Sequence, residues 1–228
     1  MRERPILFSG AMVRAILEGH KTQTRRVVKN PPAAQFCGLK SSLGYPASEG
    51  STWAGFGNPS DPMYVRCPYG QPGDRLWVRE TWGYRGGSWS TEAPEVQSVN
   101  IHYQADDSRI SYTRAADDDS GLPRCREPRP DEDYVEDYYN DFLNRYWKQW
   151  RPSIHMPRWA CRLELEITDV RVERLQAISE ADAVAEGAST PGPFARHHFM
   201  DLWASINGQA SWDANPWVWA LTFKRIKS

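Results

Sequence analysis

The sequence has no apolar run long enough to cross a bilayer, no Cys-x-x-Cys pair, no internal repeat and almost no net charge. Its 228 residues balance 28 Lys and Arg against 29 Asp and Glu, a net charge of -1. A chain this close to neutral lacks the global basicity with which duplex-binding proteins neutralise many phosphates, so any nucleic-acid contact must be local. Cys37, Cys67, Cys125 and Cys161 lie far apart, with no histidine nearby at metal-ligand spacing. They read as reduced thiols, and neither a metal site nor another cofactor is expected. Arg2 and Arg4 precede an apolar stretch that is too short for a secretory signal. A cytoplasmic protein without a membrane partner is therefore expected.

What the chain has in excess is aromatic side chains, with eleven Trp and ten Tyr. Both types bury a large area and still need a polar partner, so a mixed core accounts for most of them. The sharper reading is a surface on which nucleic-acid bases stack.

Local patterns divide the chain into elements. Ile6-Leu7-Phe8 reads as a short strand. Ser9 caps a helix over 10–18 that aligns Met12, Val13, Ile16 and Leu17, and Gly19 supplies a left-handed stop. The β-branched, cationic stretch after Lys21 should enter a strand. Residues 30–62 are rich in Pro, Gly and Ser and read as a long surface loop with room for a hairpin inside it. Pro72-Gly73-Asp74 is a turn that launches a strand over 75–82, in which Leu76, Val78 and Glu80 share one face and Trp77, Arg79 and Thr81 the other. Glu80 ends an apolar row, and a carboxylate there needs a partner.

A second excursion spans about 83–152. It contains a strand near 99–104, an acidic stretch through Asp106, Asp107 and Asp117 to Asp119 that reads as a solvated face, and an amphipathic helix over 131–150. The long strand-like stretch from Arg158 to Leu175 changes parity at Thr168-Asp169, which signals a bulge. Ser179-Glu180-Ala181-Asp182 opens a second helix that ends at Glu186-Gly187. A carboxylate in the last turn of a helix is locally unfavourable by roughly 0.3–1 kcal/mol, and a nearby Lys or Arg would offset that cost. A third helix over 194–206 presents Phe199, Leu202, Trp203 and Ile206, and an aromatic strand over 215–223 follows. Strands near both ends of the chain, with helices between strands, argue for a single α+β domain spanning 1–228, with insertions at about 30–62 and 83–152. The terminal strands are expected to be neighbours.

The segment Gly19-His20-Lys21-Thr22-Gln23-Thr24-Arg25-Arg26 resembles the signature of the ASCH family. More specifically, it is similar to the Gly-x-Lys-Thr-x-Thr-x-Arg stretch of bacterial N(4)-acetylcytidine amidohydrolases. Gln71 to Val78 and Ile178 to Glu186 resemble two further anchors of that family, and the length of the insertions is closer to the larger phage and prophage ASCH proteins.

The resemblance implies a PUA-like fold, a small mixed β-barrel with flanking helices. It also implies an amidohydrolase acting on N(4)-acylated cytidine or a related modified nucleoside, with Thr24 as nucleophile, Lys21 as its activator and Glu186 as acid/base or orienting carboxylate. A threonine hydroxyl needs such a base, and a lysine serves as one only when neutral. Arg26 and Arg25 would steady an oxyanion or a phosphate. Trp77, Trp82 and Trp217 are candidates for stacking on a pyrimidine, and Glu80 is a candidate polar contact to substrate. Two alternatives stay open: a non-catalytic PUA-type module that binds single-stranded RNA, or a ribonuclease using the same polar cluster, for which no His pair is evidently positioned although His155, His197 and His198 stay open as candidates. The oligomeric state is not indicated.

Overall fold

Turn chemistry sets the frame on which the strands are hung. Gly73, at φ 87°, and the buried Asp74 close the turn before residue 75. The Asp74 carboxylate accepts from the backbone N–H groups of Arg2 and Gln71 at 2.8 and 3.3 Å. The structure is a computed structural model that describes residues 1–41, 43, 51–86, 96–115, 150–188 and 194–226. Strands dominate and helices are few, giving a mixed α+β fold in two compact units. The first unit comprises Met1–Ile6, Ala15–Val78 and Leu163–Ser228, and the second Leu7–Arg14 and Arg79–Arg162.

The first unit is built on a sheet of five strands: β1 (Glu3–Leu7), β2 (Gln23–Val27), β6 (Arg75–Arg79), β10 (Glu164–Arg174) and β11 (Trp217–Ile226). Their spatial order is β1-β6-β10-β11-β2, so β1 and β2 are open edges, and the small closed barrel expected from the resemblance is replaced by an open sheet. β10 and β11 form its spine, an antiparallel ladder from Glu164↔Ile226 to Arg174↔Trp217 whose register shifts between Ile167 and Asp169. The bulge expected at Thr168-Asp169 is therefore present, and it keeps Leu165, Ile167, Val170 and Val172 all buried despite the change of parity. The terminal strands are not neighbours as expected, because β10 and β6 lie between β11 and β1.

Helix α1 (Gly10–Leu17) ends at Gly19, at φ 81°, and the chain then enters β2. α2 (Glu180–Ala185) and α3 (Ala195–Asn207) supply Ala183, Ala195, Phe199 and Trp203 to a core shared with Leu175, Ile178 and Val218. Ile206, expected to be part of the apolar stripe of α3, is 53% exposed. The short α4 (Gln209–Asp213) follows α3, and its Trp212 packs on the same core.

The stretch read as a loop over 30–62 instead carries strands. β3 (Phe36–Lys40), β4 (Trp53–Asn58) and β5 (Asp61–Arg66) form an antiparallel sheet of their own. Their glycines hid the pattern: Gly38 and Gly57 take φ of 144° and 106°. A Cβ on Gly55 would come within 3.2 Å of both Cys37 Sγ and the Tyr64 ring.

In the second unit β7 (Trp82–Gly86), β8 (Val96–Tyr103) and β9 (Arg109–Ala115) form an antiparallel meander. Trp82, Ile101, Tyr103, Met156 and Ala160 make its core. Residues 131–149 of the expected amphipathic helix, and Asp117 to Asp119, lie outside the described residues. Among the described residues no helix is long and apolar enough to cross a membrane.

Candidate functional site

The left-handed turn at Gly19 brings the chain back so that the N–H groups of His20 and Lys21 both donate to the Ala15 carbonyl. Thr22 N–H then donates to the Ala185 carbonyl at 2.8 Å, tying the start of β2 to the end of α2. At that end Ser179 caps the helix through Asp182 N–H, and Gly187, at φ 86°, takes the left-handed position. Glycine is required there twice over, because a side chain would also meet Lys21 Cβ at 3.3 Å. Two local stop signals, far apart in sequence, thus set Lys21 against Glu186.

The Lys21 side chain is 1% exposed and that of Glu186 4%. Lys21 Nζ donates to Glu186 Oε2 at 2.7 Å, to the Glu186 carbonyl at 2.7 Å and to the Gln23 carbonyl at 2.8 Å. Three acceptors match the three N–H bonds of an ammonium. Burial nevertheless pushes the Lys21 pKa below its ordinary value, and Arg26 and Arg25 push the same way against the opposing pull of Glu186.

The other carboxylate oxygen of Glu186 is held by Arg25, whose Nη1 lies 3.2 Å from Oε1. Arg25 is wholly buried and all three of its nitrogens are engaged. Nη1 also donates to Gln23 Oε1 at 2.6 Å, Nε donates to Glu173 at 3.0 Å, and Nη2 lies 2.5 Å from Glu173 and 3.3 Å from Asp182. The guanidinium therefore has no nitrogen left for a phosphate or an oxyanion and acts as a strut for Glu186.

Asp182, one turn before Glu186, accepts from Gln23 at 3.0 Å and from Arg171 at 3.1 Å. Burial pushes the Asp182 carboxyl up, but the Gln23 hydrogen bond together with Arg171 and Arg25 outweighs it and holds the group below its ordinary value. Lys21, Arg25 and Arg171 thus face Glu173, Asp182 and Glu186, and these cations offset the unfavourable helix-end position of Glu186.

Thr24 is 2% exposed and pairs with Leu221. Side chains alternate along a strand, so it projects from the face of β2 opposite Gln23 and Arg25. Among the described contacts its hydroxyl makes no hydrogen bond to Lys21 or Glu186. Arg26 shares the Thr24 face. Burial lowers the Arg26 pKa against the opposing effects of Tyr69 and Glu186, and burial raises that of Tyr69 with Arg26 opposing. Tyr69 was not anticipated as a neighbour of the motif, since nothing in its local sequence marks it. A depression of about 390 Å³ lined by Leu39, Lys40, Thr52, Gln71 and Val170 among others contains none of Lys21, Thr24 and Glu186.

Trp77 is buried in β6 at 8% exposure. Trp217 sits among Phe36 and Phe56, with Arg174 over its ring at 4.3 Å. Glu80 and Trp82 belong to the second unit. Trp82 packs edge-on against Trp159 with Arg151 over its ring, in a core position. Glu80 has the partner its place in an apolar row demanded: Arg162 grips both carboxylate oxygens at 2.8 Å. Arg162 also binds Asp106 at 2.9 Å and the Ser108 hydroxyl, and it stacks over Tyr103 at 4.1 Å. Asp106 is itself exposed, as expected for a solvated acidic stretch, and its carboxylate pairs with Arg162 at the edge of the buried Glu80–Arg162 pair.

No protein-family model, curated protein or solved structure matches the chain. What the site can do therefore rests on its chemistry. Among the described residues no group of three or more His, Cys, Asp or Glu side chains is arranged to hold a metal ion. The arrangement does offer a buried amine and a carboxylate in direct contact, a pair able to pass one proton between them.

Proposed function

We propose that the chain is a cytoplasmic amidohydrolase of the ASCH type, on a PUA-like fold, that removes the acyl group from N(4)-acylated cytidine or a related modified nucleoside. The observation that supports this reading is the 2.7 Å contact between Lys21 and Glu186, made where burial lowers the lysine pKa. A lysine charged at its ordinary pKa is no base, whereas one whose charge is penalised by burial can release its proton to an adjacent carboxylate and take another from a hydroxyl.

In the proposed reaction Lys21, as the neutral amine, accepts the proton of the Thr24 hydroxyl while Oγ1 bonds to the acyl carbonyl carbon. The step requires Oγ1 to come within hydrogen-bond reach of Nζ, replacing one of the three acceptors now around the amine. Lys21 then delivers the proton to the departing exocyclic nitrogen as the C–N bond breaks, and free cytidine leaves. Water attacks the threonine ester with Lys21 and Glu186 relaying its proton, which releases the carboxylic acid and restores the hydroxyl. In this reading Arg26, which shares the Thr24 face, stabilises the oxyanion. Arg25 acts only through Glu186 and is a positioning residue.

The test is release of cytidine from N(4)-acetylcytidine, followed by chromatography. Wild-type protein should turn it over, and Lys21→Met, Glu186→Gln and Thr24→Val should each lose about 10²- to 10⁴-fold, the usual range for removal of acid–base chemistry. Absence of turnover by well-folded wild-type protein, or full activity in Thr24→Val, would rule the proposal out.

A further inference from the structure

One face of the β3-β4-β5 sheet has no part in the chemistry above. Lys40, Trp53 and Arg66 lie in register across its three strands, and the register Gly38↔Gly55↔Tyr64 follows two residues along β4. Trp53, Gly55 and Tyr64 share a face by alternation. The Tyr64 ring lies over Gly55, where a Cβ would meet it at 3.2 Å. Both aromatics are half-buried and both cations exposed. Lys40 Nζ sits 5.3 Å from the Tyr64 ring centroid, and the Arg66 guanidinium 5.9 Å from that of Trp53. Arg4 lies near Arg66: burial and Arg66 lower its pKa while Asp74 raises it, and its Nη1 donates to the Pro68 carbonyl at 3.1 Å.

We propose that this face binds a single-stranded RNA, with bases stacking on Tyr64 and Trp53 and phosphates lying against Lys40 and Arg66. A chain of net charge -1 that gathers cations around two aromatic rings on one sheet face complements a polyanion that offers π-faces. A duplex offers the charge without the exposed base faces, so the aromatic pair selects a single strand. The choice of RNA over DNA rests on the nucleoside-hydrolase reading, while stacking on this face does not depend on it.

The test is fluorescence anisotropy of a labelled 12-nucleotide single-stranded RNA with the full chain at several salt concentrations, beside a duplex RNA of equal length and the deoxy strand. The single-stranded RNA should bind at least about tenfold more tightly than the duplex, and Tyr64→Leu should weaken it about tenfold, within the range for one lost stacking contact. Lys40→Glu, a change at an exposed position, should weaken binding and reduce the salt slope by roughly 0.7 or more. Turnover of free N(4)-acetylcytidine should not change in either variant.

Duplex bound as tightly as the single strand, tighter binding of the deoxy strand, or unchanged affinity in Lys40→Glu would overturn the proposal. Binding without turnover in wild type would end the hydrolase reading alone, and turnover without binding would end this one alone.

Discussion

Each compact unit buries a cluster of opposite charges, and the two clusters hold their protons differently. In the second unit Arg162 meets Glu80 through two hydrogen bonds and Asp106 through a third. Burial alone would lower the Arg162 pKa, but those contacts outweigh it and raise the pKa, so the proton is locked. In the first unit Lys21 also has a carboxylate at 2.7 Å, yet burial prevails and its pKa falls. Arginine presents a rigid fork with a charge that proteins do not titrate, whereas lysine is a compact charge that burial can neutralise. One cluster suits architecture and the other proton transfer. A buried ion pair is therefore uninformative about function until the identity of its cation is considered.

That contrast can be broken at the locked cluster first, where the largest effect on stability is expected. Arg162→Met leaves Glu80, 1% exposed, without its bidentate partner, at an expected cost of about 3–5 kcal/mol. Hydrogen exchange should report the loss in β7, β8 and β9. Pairing the change with Glu80→Met should recover much of it, because two apolar side chains of similar volume remove the uncompensated charge.

A smaller effect sharpens the picture at the other cluster. The folded-state pKa of Asp182 is depressed below its ordinary 3.8, so its contribution is present above that value and is lost as pH falls through the folded pKa. The stability difference between wild type and Asp182→Asn should accordingly shrink as the pH is lowered below about 4. A constant difference across that window would contradict the network drawn around Arg25.

Punctuation made the framework legible in the sequence. Gly19, Gly73, Ser179 and Gly187 announce their turns and caps within a few residues, and the parity change at Thr168-Asp169 marks the bulge in β10. The Lys21 and Glu186 environments could be anticipated because each lies beside such a stop signal, and a carboxylate at a helix end asks for a cation. What stayed hidden is non-local. Glu80 advertises the need for a partner, but Arg162 lies 82 positions away and carries no local mark. Arg25 looks like a ligand-binding residue in sequence because nothing there shows that Gln23, Glu173, Asp182 and Glu186 surround it. The β3-β4-β5 sheet escaped detection because glycines occupy strand positions where Cys37, Pro62 and Tyr64 crowd the backbone, and they interrupt the alternation on which strand recognition depends.

The most direct measurement is the titration of Lys21 itself, by NMR of protein carrying ¹³C-labelled lysine, with Lys21→Met used to assign the resonance. Lys21 should titrate clearly below its ordinary value of 10.5, and in Glu186→Gln it should titrate lower still, since the carboxylate is what favours the charged form. A Lys21 that holds its proton to 10.5 or above, unmoved by Glu186→Gln, would show that the buried amine is as locked as Arg162 and cannot serve as a base.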